Sequence, residues 1–236
     1  MTVTTAALTE ETDPFCLPPA DAARLLAAAP WRRFAVLGDS LAAGTGDPSP
    51  GYASQPWGDR VADALRRVHP DLAYLNTGTV GATSSRILAE QQERVRAFAP
   101  DLAHVACGAN DLWRDEPDFG RIEARMRQVY ALAAESGALL TTFTLGRAFA
   151  TAAFPDLPER VHTLNDVIRG IAADHDAVLV DMSDHPVNDR ATLLSADRIH
   201  FSTAGQAVLA AEVVRGLAAR LAGAAAAQDR AAPHAG

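Results

Sequence analysis

Short apolar runs alternate with stretches of helical spacing along most of this chain. Five runs of strand length are mainly apolar, and they occupy residues 34–37, 73–75, 102–107, 139–145 and 177–180. Elsewhere apolar residues recur every three or four positions, which predicts helices at 20–29, 57–69, 87–98, 122–136, 161–171 and 203–221. The pattern therefore predicts an α/β protein.

Strands that alternate with helices in this way form a doubly wound parallel sheet. We take the commonest order for a five-stranded sheet of this kind, 2-1-3-4-5, which puts the first strand between the second and the third. The loops after these three strands then meet at one edge of the sheet. We therefore expect Ser40, Gly81 and Asn110, one from each loop, to lie close together.

The composition fits one soluble globular domain. Of the 236 residues, 48% are hydrophobic and 21% are charged, and no apolar run approaches the roughly 20 residues that span a bilayer. We expect a leader and N-terminal helix at 1–30, the main domain at 31–222, and a disordered, alanine-rich tail at 223–236.

Charge and residue usage exclude several function classes. The net charge is −8 without a clustered basic patch, which makes nucleic acid and anionic membranes poor partners. No lysine is present, so Schiff-base chemistry, pyridoxal phosphate attachment and a P-loop are excluded. Cys16 and Cys107 are far apart and indicate neither a disulfide framework nor a zinc site. The start of the chain does not have the pattern of a signal peptide, so we expect a cytoplasmic protein.

Ser40 is the first candidate for catalysis, because it follows the first predicted strand. Gly38 permits a sharp turn there, and the carboxyl edge of an open α/β sheet is where ligands bind. A serine nucleophile needs a base. Of the seven histidines, only His200 follows the last strand with a carboxylate, Asp197, three residues before it. This spacing allows Asp197 to orient the ring of His200 toward Ser40.

The oxyanion that a serine attack creates needs hydrogen-bond donors. The backbone N–H groups of Ser40 and Gly81 and the side-chain amide of Asn110 can supply them. Gly81 suits this role because a backbone that approaches a substrate closely has no room for a Cβ atom. Asn110 suits it because a neutral amide donates without adding charge to the resting site.

Four segments together resemble the SGNH hydrolases, also called the GDSL esterase/lipase family. They are Gly38-Asp39-Ser40-Leu41, Asn76-x-Gly78-x-x-Gly81, Gly108-x-Asn110-Asp111 and Asp197-x-x-His200, and they occur in the family's order. The resemblance implies a flavodoxin-like, three-layer α/β/α fold and ester hydrolysis through an acyl-enzyme, without a cofactor or metal. It assigns Ser40 as nucleophile, His200 as base, Asp197 as its orienting carboxylate, and Ser40, Gly81 and Asn110 as the oxyanion hole.

The chain departs from the family pattern at two positions. Phe201 follows the histidine where many members have proline, and Ala82 follows Gly81 where an aspartate is frequent. Neither change removes a catalytic group, but both alter the surroundings of the site.

Two further groups of residues are open to more than one interpretation. Trp113, Phe149 and Phe154 follow the third and fourth strands, where they either line an acyl pocket or pack within the loops. An acidic segment, consisting of Asp181, Asp184, His185 and Asp189, has the ligand types for a divalent cation, but a solvated loop is favoured and we assign no metal.

The favoured function is a serine esterase that acts on small-molecule esters with short acyl groups. The main alternative is an acyltransferase of the same fold, because the same acyl-enzyme can react with an alcohol or sugar. A metal-dependent phosphoesterase and a non-catalytic binding module are less favoured. No oligomeric state follows from the sequence.

Overall fold

The computed structural model describes residues 8–151 and 154–231, with side chains as far as 227. The strands are β1 (Arg33–Gly38), β2 (Ala73–Asn76), β3 (Leu102–Ala106), β4 (Leu139–Phe143) and β5 (Val178–Val180). The helices are α1 (Pro19–Leu25), α2 (Ser40–Ala43), α3 (Trp57–Val68), α4 (Ser84–Phe98), α5 (Phe119–Ala134), α6 (Leu157–Asp174) and α7 (Thr203–Ala231). Two 3₁₀ turns cover Ala109–Leu112 and Pro186–Asp189.

The five strands form one parallel sheet in the order β2-β1-β3-β4-β5, as predicted. Helices α1, α3 and α7 lie on one face, and α4, α5 and α6 lie on the other. The three-layer α/β/α fold is therefore confirmed. β3 is buried at every position and β1 at all but its first, which explains why both read as continuous apolar runs.

Gly38 allows β1 and β3 to approach closely where the chain leaves the sheet. Its φ angle is +145°, and a Cβ atom built on it would lie 1.9 Å from the carbonyl oxygen of Ala106. The side-chain amide of Gln91 on α4 binds both backbone polar groups of Gly38, accepting from its N–H at 3.0 Å and donating to its oxygen at 2.7 Å. The backbone at the end of β1 is thus fixed through both its N–H and its carbonyl group.

The short helix α2 starts immediately after this turn. Asp39 is its N-cap, and the Asp39 carboxylate accepts a hydrogen bond from the Leu41 N–H at 2.9 Å. Gly44 ends the helix with a left-handed φ of 73°. Ser40 therefore occupies the first turn of a helix at the carboxyl end of β1.

The segment before α1 packs against the main domain, which the sequence analysis did not predict. Asp13 has a fully buried side chain that accepts hydrogen bonds from the Tyr52 hydroxyl, the Phe15 N–H and Arg190. Cys16 is also buried in the hydrophobic core. Residues 8–18 therefore belong to the folded unit, while residues 1–7 lie outside the described residues.

The last helix is longer than predicted. α7 continues to Ala231, so the prediction of a disordered tail from 223 is wrong as far as 231, and residues 232–236 lie outside the described residues. Residues 222–227 are exposed, and four consecutive alanines among them explain the helix by intrinsic propensity rather than by packing. Among the described helices, none has the length and apolar character needed to cross a bilayer.

Candidate active site

Ser40, His200 and Asp197 form a continuous chain of hydrogen bonds. The Oγ atom of Ser40 lies 2.8 Å from Nε2 of His200, and Nδ1 of His200 lies 2.6 Å from Oδ2 of Asp197. Ser40 and His200 are 160 positions apart in the chain. The structure therefore brings the predicted nucleophile, base and carboxylate together.

A tight turn presents Asp197 and His200. The second oxygen of Asp197 accepts from the N–H groups of Ile199 and His200 at 2.9 and 3.0 Å, and the N–H of Ser195 donates to the His200 carbonyl at 2.8 Å. Arg198 adopts a left-handed φ of 61° within this turn. The aspartate thus holds both the ring and the backbone of the histidine.

The hydrogen bonds to Asp197 favour its charged form. Burial acts to raise its pKa, but the bonds from the His200 ring and from the N–H groups of His200 and Ile199 outweigh it and hold the pKa below its ordinary value. An ionised carboxylate can only accept hydrogen bonds, so Nδ1 of His200 carries the proton that it donates. Nε2 is then left to accept the hydroxyl proton of Ser40.

The three predicted oxyanion donors lie around this serine. In the described part of the chain, no backbone or side-chain acceptor binds the N–H groups of Ser40 or Gly81. The Asn110 amide nitrogen donates to the Ala82 carbonyl at 3.2 Å and lies 3.4 Å from the Asp39 carboxylate. One of these bonds must yield before Asn110 can donate to a substrate, and the longer one to Asp39 is the weaker.

The structure gives a further reason for a glycine at position 81. A turn is closed by the hydrogen bond from the Ala82 N–H to the Thr79 carbonyl, and Gly81 has a φ of 73° within it. No protein atom lies within 4 Å of a Cβ built on Gly81. The left-handed backbone of the turn therefore favours glycine at this position, whereas crowding by protein atoms does not.

Asp39 is a buried carboxyl group next to the nucleophile. Burial raises its pKa to about 7, against the hydrogen bond from Leu41 and with a further upward contribution from the neighbouring Asp111 carboxylate. Asp111 in turn accepts from the N–H and hydroxyl of Ser84 at 2.8 and 3.1 Å. This second carboxylate fixes the start of α4 beside the Gly81 turn.

A cavity of about 160 Å³ opens onto Ser40 and His200. Trp113 and Phe149 line it, as one interpretation of the sequence expected. Phe154 is not among the lining residues; its ring packs against Trp113 with centroids 5.3 Å apart. Phe201 is buried and packs edge-on against Phe149, so the departure from proline supplies an aromatic support behind the cavity wall.

A larger cavity of about 280 Å³ lies elsewhere, between the N-terminal segment and helices α3 and α7. It contains none of the candidate catalytic residues, and its most buried ionic group, Arg60, already binds Glu10 and the carbonyls of Gln55 and Ala53. The volume of a cavity alone therefore does not identify the candidate site, because Ser40 and His200 line the smaller cavity.

The acidic segment forms ion pairs and hydrogen bonds with protein groups. Asp181 accepts from Arg169 and from the Thr144 hydroxyl, and Asp189 pairs with Arg147. His185 packs against the Phe15 ring. Within residues 8–151 and 154–231, no three histidine, cysteine or acidic residues are grouped as a metal site.

Sequence reasoning missed the buried polar side chains that support the site. Gln91 on α4 fixes Gly38, and Asn165 on α6 binds both backbone polar groups of Leu145 at 2.8 Å. Arg160 on α6 donates to the carbonyls of Leu112, Arg114 and Asp115, which shapes the loop that carries Trp113. Their only signal in the sequence is a polar residue within the apolar stripe of a helix.

Comparison with protein families gives one match along most of the chain. The model of the GDSL-like lipase/acylhydrolase family matches residues 36–208. This range contains all four segments that form the site. The protein named GDSL lipase Rv0518, from Mycobacterium tuberculosis, is 28% identical over 186 residues, which cover 76% of this chain and 78% of that protein.

Solved structures with the same fold are also found. A lipase/acylhydrolase from Enterococcus faecalis superposes with a TM-score of 0.60 at 23% identity, over 80% of this chain and 96% of its own. Axe2, an acetylxylan esterase from Geobacillus stearothermophilus, gives a TM-score of 0.58 at 25% identity, over 78% of this chain and 92% of its own.

Proposed function

Because the chain belongs to the GDSL-like lipase/acylhydrolase family, a family of carboxylic ester hydrolases, we propose that it hydrolyses short-acyl esters with Ser40 as nucleophile. The observation that carries this proposal is the 2.8 Å contact between Ser40 Oγ and His200 Nε2 at the mouth of a largely apolar cavity. A hydroxyl in contact with an imidazole that is oriented by a carboxylate has the arrangement that activates a serine.

In the first half of the reaction, Ser40 Oγ attacks the carbonyl carbon of the ester while its proton passes to His200 Nε2. The negative charge that develops on the carbonyl oxygen is met by the N–H groups of Ser40 and Gly81 and by the Asn110 amide. The bond between the carbonyl carbon and the alcohol oxygen then breaks. The alcohol leaves with the proton from His200, and the acyl group stays on Ser40.

In the second half, water takes the place of the alcohol. His200 removes a proton from the water as it attacks the acyl carbon, and returns that proton to Ser40 Oγ when the acid departs. Asp197 stays ionised throughout and stabilises the imidazolium that forms twice in each cycle. Each turnover therefore consumes one ester and one water and releases one acid and one alcohol.

The size of the cavity supports a short acyl group. Its volume of about 160 Å³ is close to that of an apolar protein cavity of about 150 Å³ that accommodates benzene, a six-carbon molecule. We therefore propose acyl groups of up to about six carbons. The likeness to an acetylxylan esterase, by its name an enzyme for an acetyl ester, points in the same direction.

Replacement of the nucleophile tests this proposal. We expect Ser40→Ala to lower kcat/KM for p-nitrophenyl butyrate by on the order of 10³-fold or more, since the remaining groups cannot form the acyl-enzyme. Ser85→Ala is the matched control, because Ser85 is an exposed serine near the same edge of the sheet but outside the cavity. It should keep full activity.

Two outcomes contradict the proposal. The first is a Ser40→Ala protein that keeps its thermal unfolding temperature and still hydrolyses the ester at the original rate. The second is a parent enzyme that turns over p-nitrophenyl decanoate faster than butyrate, which removes the short-acyl assignment. Product analysis for free acid separates hydrolysis from transfer to an added alcohol.

A further inference from the structure

A small void lies next to the proposed acyl cavity and shares part of its lining. Its volume is about 10 Å³, which is at the lower limit for one water molecule. Residues from the end of β3, from β4 and from α6 surround it, among them Cys107, Phe143, Leu164 and Ile168. None of these four residues lines the acyl cavity.

Four residues line both spaces and so form the wall between them: Asp39, Leu41, Ala109 and Leu145. Asp39 and Leu41 are the chain neighbours of Ser40, and Ala109 is a small side chain next to Asn110. Leu145 is the large side chain of this wall that comes from a separate segment, the loop after β4. It is 4% exposed.

The backbone of Leu145 is held rigidly in place. Asn165 is buried on α6, accepts the Leu145 N–H and donates to the Leu145 carbonyl oxygen, each at 2.8 Å. Movement of Leu145 would break both bonds and leave a buried amide without partners, which is costly. The same helix supplies Leu157 and Val161 to the acyl cavity and Leu164 to the void.

We infer that Leu145, fixed by Asn165, closes the acyl pocket and sets the maximum length of the acyl group that the enzyme accepts. This inference rests on the proposed function, in which the cavity holds the acyl group attached to Ser40. Each methylene of an acyl chain that the cavity can bury raises kcat/KM by about fourfold. A chain that reaches Leu145 gains nothing further, because a wall held in this way cannot move aside.

A truncation of the wall tests the inference. We expect Leu145→Ala to join the void to the cavity and to move the preferred p-nitrophenyl ester about two carbons toward longer chains. The quantity measured is the ratio of kcat/KM for octanoate to that for butyrate, which should rise by about 15-fold, since two more methylenes are buried at about fourfold each. Because it is a ratio within one protein sample, partial loss of folded enzyme does not change it.

Leu164→Ala is the matched control. This substitution also shortens a leucine that lines the void, and by the same number of atoms. Leu164, however, lies behind the wall and does not line the cavity. We expect its octanoate-to-butyrate ratio to equal that of the parent. Combined with Leu145→Ala, it should extend the preference further, since the enlarged space is then connected. Leu145→Val, a milder change, should move the ratio in the same direction if Leu145→Ala fails to fold.

The inference is wrong if Leu145→Ala, or Leu145→Val in its place, leaves the ratio unchanged, or if Leu164→Ala alone raises it as much. These outcomes are separate from failure of the proposed function. Turnover that persists in Ser40→Ala would contradict the proposed function whatever the chain-length profile. An unchanged ratio with Ser40-dependent turnover would contradict only the role of Leu145.

Discussion

At the scale of single residues, Asp39 is a carboxyl group that is almost completely removed from water. Its carboxyl is 1% exposed and lies between the Leu41 N–H and the Asn110 amide. Burial raises its pKa to about 7, so near neutrality the folded protein holds a proton that the unfolded chain has released. Asp39 therefore links the stability of the fold to pH at the position next to Ser40.

Replacement of Asp39 should change that dependence. Its pKa is raised from 3.8 in the unfolded chain to about 7 in the folded protein, so its contribution to stability is present below pH 4 and is lost as pH rises through 7. Asp39→Asn removes this pH-dependent contribution to the free energy of unfolding. Between pH 5 and 8, we expect the parent to lose about 3 kcal/mol of unfolding free energy relative to the variant, measured by urea titration.

Asp71→Asn is the control for this comparison, because Asp71 has a side chain that is 77% exposed. It should follow the parent across the range. If Asp39→Asn also follows the parent, the carboxyl of Asp39 is not the buried proton acceptor described above.

The residues of the candidate triad could be predicted, and those that support them could not. Ser40, Asp197 and His200 were predicted because a nucleophile, a base and a carboxylate must be particular residue types at the ends of strands, and the structure brings the three together. Gln91 and Asn165 were not, because an amide in an apolar helical stripe gives no indication of which backbone groups it will bind. Their partners are 53 and 20 positions away.

At the scale of elements, strand β3 contains an unusual residue for the centre of a sheet. His104 is fully buried, its Nδ1 atom lies 2.7 Å from the Thr141 hydroxyl, and its ring packs against Trp57 and Phe143. Its Nε2 atom has no hydrogen-bond partner among the described residues. Burial lowers the pKa of His104 to about 3, so the ring is neutral in the fold.

A non-titrating residue at this position should reduce sensitivity to acid. The pKa of His104 is lowered from 6.5 to about 3 on folding, so its stability contribution is present above pH 6.5 and is lost as pH falls toward 3. Between pH 7 and 4.5, we expect the parent to lose about 3 kcal/mol of unfolding free energy more than His104→Gln. Urea unfolding at the two pH values measures the difference.

His162→Gln is the control, since the His162 side chain is 78% exposed and is not part of the core. It should keep the acid sensitivity of the parent. An equal loss in His104→Gln and the parent would mean that the buried ring does not titrate as described.

Element positions could be predicted to within a few residues wherever packing dictates the pattern. The apolar runs gave all five strands, because parallel strands covered on both faces must be apolar throughout. The fourth run was predicted two residues too long. Thr144 lies beyond the strand, although its N–H still donates to the Val180 carbonyl, and the Leu145 backbone binds Asn165. The last helix was ended too early because its final residues are helical by propensity alone.

At the scale of the whole molecule, the site depends on four segments that are distant in sequence and meet at one edge of the sheet. The strand order, which places β1 between β2 and β3, brings the first three segments together. The fourth is tied to the first by Asp47, whose N–H donates to Ser195 Oγ at 2.7 Å and whose carboxylate accepts the Ala196 N–H at 2.9 Å. Residues 8–18 also pack through contacts that are distant in sequence, and for this reason their packing could not be predicted from the local pattern.

The proposed reactivity of Ser40 depends on the folded chain, and a serine-reactive fluorophosphonate probe tests it most directly. We predict a single adduct at Ser40, located by peptide mass spectrometry and absent in Ser40→Ala. Its rate of formation should fall in urea in parallel with the unfolding transition, because the unfolded serine has no base within reach. Absence of an adduct on the folded protein, an adduct at another serine, or equal labelling of folded and unfolded chains would contradict the account.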